Sequence, residues 1–412
     1  MIHFEIMRKS ILTFILLMLF SELHSDEWIQ FRGTNGQGLS KDGQLPIKWS
    51  KTEGIAWKTN LDGVAWSSPI CVDKQVFLTN ALLKGEELKL EVLAINFETG
   101  AINWRIPLFQ YSSQPRIHRK NSYASPTPFY ENGRIFVHFG NLGTACITLR
   151  GEIIWKTKLE YSPVHGSGAS PVIYNNLLLL SADGANNPKL YALNKNDGTV
   201  RWEVNRDSNA KKSFSFCTPT VIQWQGKPLI VSPASDYVFA YDLEGKQVWK
   251  FNYPNGYSVV PRPVYNKGIV YVSSGYDSPV LYAIKLGGIG DITDSHLAWK
   301  TRKGVPRNSS FLVIDDLLFM AADNGVVSCL DSTNGEVKWV KRVAGSCSSS
   351  LLYASGKIYL TDESGITYIF LSKNEFKLIE TNELNERTLA SPVPHKGFLL
   401  IRTELGLWKI AS

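Results

Sequence analysis

The chain has 412 residues, of which 44% are hydrophobic and 20% are charged, and its formal net charge is +7. This length and composition are typical of a soluble protein with a large apolar core. The positive charge is spread along the chain, with one cluster, RIHRK at 116–120, which does not favour a nucleic-acid-binding protein.

The first 25 residues have the pattern of a cleavable signal peptide. Arg8 and Lys9 precede an apolar run at 11–20, which is too short to span a membrane, and Ser25 is a small residue at the predicted cleavage position. A buried N-terminal helix is the alternative. Residues 1–70 contain no cysteine that could carry a lipid anchor. We therefore expect a monomeric periplasmic or secreted protein without a membrane anchor.

Seven tryptophans recur at intervals of 40 to 51 residues, several of them after a short turn such as ETG, NDG, LEG or TNG. Intervals of this size are typical of propeller blades or helical arrays. The segments between the tryptophans are short β-branched or aromatic runs separated by Gly, Asn and Asp, which indicates four strands per unit. These tryptophans, which we expect to fill the gaps between blades, are Trp57, Trp104, Trp155, Trp202, Trp249, Trp299 and Trp339.

The repeats predict an all-β, eight-bladed β-propeller of four-stranded blades over residues 49–412. The last repeat supplies only three strands, so we expect GIAWKT at 54–59 to close the ring as the missing outer strand. Residues 26–48 are predicted to form an N-terminal strap across the ring. GTNGQG at 33–38 lacks the strand–turn–helix surroundings of a phosphate-binding loop.

Five cysteines are widely spaced, with no CxxC, no adjacent pair and no zinc-ligand spacing. Because their number is odd, at least one is unpaired, and most are predicted to be small apolar core residues in strands. They are Cys71, Cys146, Cys217, Cys329 and Cys347.

The repeat ASPxxxxGxLxxxxxDGxxxALDxxxGxxxW resembles the PQQ-like propeller repeat. Phrases such as WIQFRGTNGQG, KNSYASPTP, PVHGSGASPV, GYSVVPRPV, GDITDSHLAW and ERTLASP resemble the BamB-like (outer membrane protein assembly factor-like) exported propellers of bacteria. The resemblance covers essentially the whole mature chain. It implies the propeller fold and either an envelope scaffold or a quinoprotein dehydrogenase, because one fold can carry both.

The quinoprotein dehydrogenases of this repeat family carry an adjacent-cysteine disulfide, a calcium-binding Glu/Asn/Asp set and an aspartate base, none of which can be matched in this sequence. The assembly lipoproteins carry a lipidated cysteine, which is also absent. We therefore expect no cofactor and favour a non-catalytic scaffold for an envelope protein. PQQ with Ca²⁺ in an alcohol or sugar dehydrogenase is one alternative, and a carbohydrate- or anion-binding propeller is another.

Propeller geometry places two sets of loops on one face: those that lead into the first strand of each blade, here called the lead-in loops, and those that join second to third strands. Polar residues in these loops form the predicted binding site at the channel mouth. They are His118, Asn121, Tyr123, His165, Asp183, Asn187, Arg262, Tyr276, Asp277, Arg307, Asp323, Asp362, Arg387 and Arg402. For any single Asp, a turn-forming role is the alternative. The pair His118 and His165 is also a weak metal candidate, without a third ligand at a diagnostic spacing.

Overall fold

The structure, a computed structural model, describes residues 27–412, and the predicted signal peptide at 1–25 lies outside the described residues. The described chain forms 34 strands in eight sheets, one for each blade. Within residues 27–412 no helix is long and apolar enough to cross a membrane. The predicted all-β, eight-bladed propeller of four-stranded blades is therefore confirmed.

The strands follow in chain order, and the innermost strand of each blade comes first. Two strands precede the first blade: β1 (Leu39–Ser40) and β2 (Ile55–Asn60). Blade 1 contains β3 (Ile70–Val72), β4 (Gln75–Lys84), β5 (Glu87–Asn96) and β6 (Ile102–Tyr111), and blade 2 contains β7 (Phe129–Glu131), β8 (Arg134–His138), β9 (Thr144–Thr148) and β10 (Ile153–Thr157). Blade 3 contains β11 (Val172–Tyr174), β12 (Leu177–Ala182), β13 (Lys189–Asn194) and β14 (Val200–Asn205). Blade 4 contains β15 (Thr220–Trp224), β16 (Lys227–Pro233), β17 (Tyr237–Tyr241) and β18 (Gln247–Asn252).

Blades 5 to 8 complete the ring. Blade 5 contains β19 (Val264–Asn266), β20 (Ile269–Ser273), β21 (Leu281–Lys285) and β23 (Leu297–Thr301), while the short β22 (Gly290–Asp291) between the last two joins the sheet of blade 4. Blade 6 contains β24 (Leu312–Ile314), β25 (Leu317–Ala321), β26 (Val326–Asp331) and β27 (Val337–Arg342), and blade 7 contains β28 (Leu352–Ala354), β29 (Lys357–Thr361), β30 (Ile366–Leu371) and β31 (Leu378–Glu383). Blade 8 contains β32 (Val393–His395), β33 (Phe398–Arg402) and β34 (Gly406–Ile410).

The N-terminal strand β2 closes the ring, as predicted. It pairs antiparallel with β34, with Trp57 opposite Lys409, and so becomes the outer strand of blade 8. This arrangement leaves no blade incomplete and joins the two ends of the chain by backbone hydrogen bonds.

Each of the seven repeated tryptophans lies on the outermost strand of its blade and contacts the neighbouring blade. The Trp202 indole Nε1 donates a hydrogen bond to the carbonyl of Leu243 at 2.8 Å. Its ring lies against Gly245, where an added Cβ would come within 2.8 Å of the indole. Gly245 has a φ of +83°, which a glycine adopts without strain. The tryptophan therefore fills the gap between blades, and the glycine of the tight turn is its counterpart.

The same arrangement recurs around the ring. Indole Nε1 donates to a carbonyl of the next blade in the pairs Trp57–Phe97, Trp155–Lys195, Trp299–Ser332 and Trp339–Lys373. Trp249 differs because the turn that would receive it is replaced by residues 286–296. That insertion contributes β22, which pairs in parallel with β18 and covers the outer edge of blade 4.

In blades 1 to 6 the residue opposite the tryptophan on the third strand is small, so that the indole can lie flat against the sheet, whereas Trp57 of blade 8 lies opposite Lys409. Ala94, Ala192 and Ala240 occupy this position in blades 1, 3 and 4, whereas Cys146 and Cys329 occupy it in blades 2 and 6. All five cysteines are buried and free, which confirms their prediction as apolar core residues.

Around the axis, a ring of hydrogen bonds joins the first strands of successive blades. In seven of the eight described blades, the residue two positions before the first strand donates its amide N–H to the side-chain hydroxyl of its counterpart in the next blade, over 2.9–3.1 Å. We call the residues at this position the hydroxyl ring; they are Ser68, Thr127, Ser170, Thr218, Ser310, Ser350 and Ser391, with Arg262 in blade 5. Arg262 has no hydroxyl, and its Nε instead donates to Thr220 of blade 4 at 3.2 Å.

The segment predicted as a strap lies inside the ring and bonds to several first strands. Its carbonyls at Trp28 and Gly38 accept hydrogen bonds from blades 1 and 7, and β1 pairs in parallel with β28. Arg262 Nη1 donates to the strap carbonyl of Phe31 at 2.7 Å. Arg32 of the strap donates to the Phe311 carbonyl of blade 6 at 2.5 Å. The described part of the strap therefore occupies the channel rather than its outside.

Two further buried arginines link neighbouring blades. Arg206 forms an ion pair with Asp183, with Nε 2.9 Å from Oδ1, and both side chains are almost completely buried. The same guanidinium donates to Ser232 of blade 4 at 2.7 Å, which joins blades 3 and 4. Arg402 of blade 8 donates to the Thr79 carbonyl of blade 1 at 2.8 Å.

The contact between Trp202 and Gly245 can be tested by comparing two glycines of blade 4. Gly226 has a similar φ of +76°, but no atom of residues 27–412 outside its own neighbours lies within 4 Å of an added Cβ. We expect Gly226→Ala to lower the free energy of unfolding by about 1 kcal/mol, from backbone strain alone. Gly245→Ala should cost about 1–3 kcal/mol more, because its methyl group overlaps the indole.

The excess cost of Gly245→Ala should disappear when Trp202→Ala is already present, since the overlapping ring is then gone. Urea unfolding of the original protein, Gly245→Ala, Trp202→Ala and the double variant measures this coupling. Equal costs in both tryptophan backgrounds would contradict the proposed contact.

The buried ion pair gives a second prediction. Asp183→Asn should lower the free energy of unfolding by about 3–5 kcal/mol, because the Arg206 charge remains buried without a carboxylate. The matched control is Asp316→Asn, which removes the partner of Lys267 from a pair whose side chains are 66% and 59% exposed. That change should cost less than about 1 kcal/mol. Similar losses in the two variants, measured by urea unfolding, would argue against a structural role for the buried pair.

Candidate functional site

A cavity of about 720 Å³ opens on the face that carries the lead-in loops, at the mouth of the channel. Its size falls in the range of small-molecule sites. Five hydroxyl-ring residues line it, and Phe31 of the strap lies among them. The five are Ser68, Thr127, Ser170, Ser350 and Ser391. The strap contacts Arg262 and Ser310 on the other side of the ring, so the hydroxyl floor of the cavity belongs to blades 1, 2, 3, 7 and 8.

One wall of the cavity is a continuous series of rings, which we call the aromatic arc: His118, His165, Phe214, Tyr257 and Tyr276. Successive ring centroids are 5.3, 5.2, 5.6 and 6.3 Å apart, and all four contacts are edge-to-face. This geometry is favourable for aromatic pairs and fixes each ring against the next. The rings come from four successive lead-in loops and from the second-to-third loop of blade 5.

The charged groups on another wall of the cavity are held by ion pairs or hydrogen bonds. Lys120 Nζ lies 2.6 Å from the Glu363 carboxylate, which also accepts a hydrogen bond from Ser348. Asp323 accepts hydrogen bonds from the Arg307 amide at 2.8 Å and from the Asn308 side chain. These pairs make the wall opposite the aromatic arc polar and nearly neutral.

Two cations lie on rings of the aromatic arc. Lys212 Nζ lies 4.0 Å from the centre of the Tyr257 ring, and it donates a hydrogen bond to the hydroxyl of the same tyrosine at 2.7 Å. Arg307 Cζ is 4.9 Å from the centre of the Tyr276 ring. Cation–π contacts of this kind hold the side chains at the rim in place.

His165 lies in the aromatic arc in a partly desolvated position. Desolvation, followed by the nearby His118 and Arg116, lowers the pKa of His165 below its ordinary value. The imidazole is therefore neutral at pH 7 and packs as an aromatic ring. Within residues 27–412 no group of three or more His, Cys, Asp or Glu side chains is placed to hold a metal ion.

The structure brings six of the fourteen predicted site residues together in the cavity wall: His118, Asn121, His165, Tyr276, Arg307 and Asp323. Two more contact the lining from behind. Asp277 accepts a hydrogen bond from the Tyr257 hydroxyl at 2.6 Å, and Arg387 lies 5.0 Å from the centre of the Trp66 ring.

The other six predicted residues do not line the cavity. Tyr123 donates its hydroxyl to the Pro115 carbonyl, and Asn187 lies in an exposed turn with a φ of +50°. Asp362 is buried and accepts amide hydrogen bonds from three residues of its own and a neighbouring loop. Asp183, Arg262 and Arg402 are buried in the links between blades described above.

Several lining residues were not predicted from the sequence. Trp66, Lys212 and Tyr257 lie in lead-in loops without a distinctive motif. The hydroxyl ring did carry a signal, because a Ser or Thr recurs before the first strand of seven blades and is followed by proline in five of those seven. The proline that follows has no amide hydrogen and a restricted φ, which suits the turn into the first strand.

The cavity does not fit a quinone cofactor with its calcium ion. Such a pair needs a flat aromatic platform on the channel axis and several carboxylate or carbonyl oxygen ligands. Here the strap occupies the axis, and Asp323 is the sole carboxylate among the lining residues. Both of its oxygens already accept hydrogen bonds.

Comparison with known proteins supports the propeller fold. The crystal structure of BamB from Moraxella catarrhalis superposes with a TM-score of 0.60 at 12% identity, over 86% of this chain and 96% of that one. A quinohemoprotein alcohol dehydrogenase from Pseudomonas putida HK5 superposes with a TM-score of 0.51 at 13% identity, over 84% of this chain and 76% of that one. At these identities the superpositions establish the fold alone.

Sequence comparison identifies the family as well as the fold. The outer membrane protein assembly factor BamB of Yersinia pestis is 24% identical over 253 residues, which cover 61% of this chain and 51% of the relative. The chain therefore matches about half the length of this curated relative. A family model described as outer membrane protein assembly factor BamB matches residues 89–341 and 290–377. Because that match covers more than half of the chain, this protein belongs to the BamB family of PQQ-like repeat propellers.

Proposed function

We propose that the protein is exported and acts as a non-catalytic scaffold in the cell envelope, where it binds a partner protein. Membership of the BamB family supports this proposal, as does the name of the curated relative, an outer membrane protein assembly factor. The predicted signal peptide is consistent with export. We infer that the partner takes part in the assembly of outer membrane proteins.

The observation that carries the proposal is an exposed basic rim beside the cavity. Two lead-in loops, 112–120 and 207–213, contain five Lys or Arg residues and one Asp. Arg116, Arg119 and Lys211 are exposed, and none of the three forms a salt bridge within the described residues. Charges that lack a partner on a rigid surface steer and orient a protein of opposite charge. We therefore expect the partner to present an acidic surface to this rim.

The fold supports this role because it holds the loops on a closed ring. The two loops lead into blades 2 and 4, whose first strands bond to their neighbours through Thr127 and Thr218 of the hydroxyl ring. A rigid platform binds a partner with little loss of conformational entropy. The basic rim is thus presented in a fixed geometry.

The proposal can be tested by photo-crosslinking in cells that produce the protein. A photoreactive amino acid at Arg119 should give an adduct with one envelope protein, whereas the same group at Lys246 on the opposite face should not. Arg116→Glu with Lys211→Glu should weaken binding of the purified partner by about tenfold or more at physiological ionic strength, because two favourable charges become repulsive.

The matched control for charge reversal is Arg150→Glu with Lys246→Glu, which changes two exposed charges in turns of the opposite face. This control should bind like the original protein. Adducts from both faces, or none from the rim, would contradict the proposal, as would equal effects of the two charge reversals.

The quinoprotein alternative is tested separately. Adding PQQ and Ca²⁺ to the purified protein should produce neither bound quinone absorbance nor dye reduction with an alcohol or sugar, because the lining lacks the ligand set described above. Uptake of the quinone at micromolar concentration would show that the cavity serves a dehydrogenase instead.

A further inference from the structure

The five hydroxyls of the cavity floor have donor capacity that the protein does not use. Each Oγ accepts an amide hydrogen bond within the hydroxyl ring, for example Ser350 N to Ser391 Oγ at 2.9 Å. None of the five donates a hydrogen bond to another atom of the described residues. Ser68, Thr127 and Ser170 are at most 3% exposed. Buried hydroxyl protons need an acceptor, so this floor favours a ligand rich in oxygen.

The aromatic arc adds a second requirement. Tyr276 is 47% exposed, and one face of its ring carries the Arg307 guanidinium. The negative face of an aromatic ring attracts the weakly positive C–H groups of a ligand. A simple anion has no such groups, and an apolar peptide side chain does not use five hydroxyl donors. A sugar ring presents C–H groups on its faces and oxygen atoms around its edge.

The charge balance of the cavity further restricts the chemical class of ligand that it can bind. Lys120 is paired with Glu363, and Lys212 lies 3.8 Å from Asp277. Asp323 accepts hydrogen bonds from Arg307 and Asn308 in the lead-in loop of the same blade. The three cations at the cavity (Lys120, Lys212 and Arg307) are thus matched in number by three carboxylates (Glu363, Asp277 and Asp323). The cavity itself, unlike the basic rim outside it, therefore carries no net charge that would favour an acidic ligand.

We propose that the cavity binds a short neutral oligosaccharide, with one sugar ring on the aromatic arc at Tyr276 and its oxygens facing the hydroxyls of the floor. The volume of about 720 Å³ accommodates a ligand of this size. This site goes beyond the proposed scaffold function, because it requires no partner protein and uses the cavity rather than the basic rim.

A glycan array probed with the purified protein tests the class of ligand, and calorimetry on the best trisaccharide measures its affinity. We expect neutral glycans to bind, with a dissociation constant below about 1 mM. Tyr276→Ala should weaken binding about tenfold, and Tyr276→Phe should retain it, because the ring supplies the contact. Tyr174→Ala, on the opposite face, should have no effect.

A second pair of variants tests the floor. Ser391→Ala and Ser310→Ala each remove one hydroxyl that accepts an amide hydrogen bond within the hydroxyl ring. Only Ser391 lines the cavity. We therefore expect similar small losses of stability in both, but about fivefold weaker saccharide binding in Ser391→Ala alone.

Four outcomes would overturn the proposal. They are the absence of any neutral glycan that binds, a preference for acidic glycans or inorganic phosphate, binding of aromatic peptides in place of glycans, and equal binding by the Ser391 and Ser310 variants. Because partner binding at the rim is measured by crosslinking at Arg119, failure of the saccharide site leaves the scaffold proposal unaffected.

Discussion

Contact between neighbouring blades is the constraint on which this structure depends. A single four-stranded sheet has two faces to cover and buries little apolar surface alone. Here most blades are joined to the next at two radii. Near the axis, an amide bonds to a Ser or Thr hydroxyl at seven of the eight junctions between described blades; at the outer strands of blades 1, 2, 3, 5 and 8, an indole covers a turn glycine of the next blade. Where one link changes, another contact takes its place: Arg262 bonds to Thr220 in blade 4, and β22 pairs with β18 where the turn for Trp249 is replaced.

The strap makes the site asymmetric. Eight similar repeats would give a channel with equivalent walls, but the strap bonds to Arg262 and to blade 6 and leaves the hydroxyls of five other blades facing the cavity. The aromatic arc is likewise confined to the loops before and within blades 2 to 5. A fold of nearly equal units thus acquires one apolar wall, one polar wall and a basic rim.

The fold could be predicted because the signal repeats: a tryptophan recurs on the fourth strand of seven blades, five of the seven indoles lie against a turn glycine, and Cys146 and Cys329 replace alanine at one repeated position. The site could be predicted only in part. Lead-in loops were correctly expected to contribute the cavity wall, as His118, His165 and Arg307 show. Arg262 and Arg402 lie on the same face of the ring, but their partners are more than 200 residues away in sequence, at Phe31 and Thr79. No local pattern distinguishes an arginine that binds a ligand from one that links distant segments.

Closure by β2 has a consequence for how the molecule is completed. The first long strand of the described chain finds its partner, β34, only when the final residues are present. Until then β2 has unpaired edges that are prone to pairing with other chains, and blade 1 exposes the apolar face that packs against blade 8. A chain that lacks β34 would therefore leave the ring open and β2 unpaired, so closure of this propeller depends on two strands more than 340 residues apart in sequence.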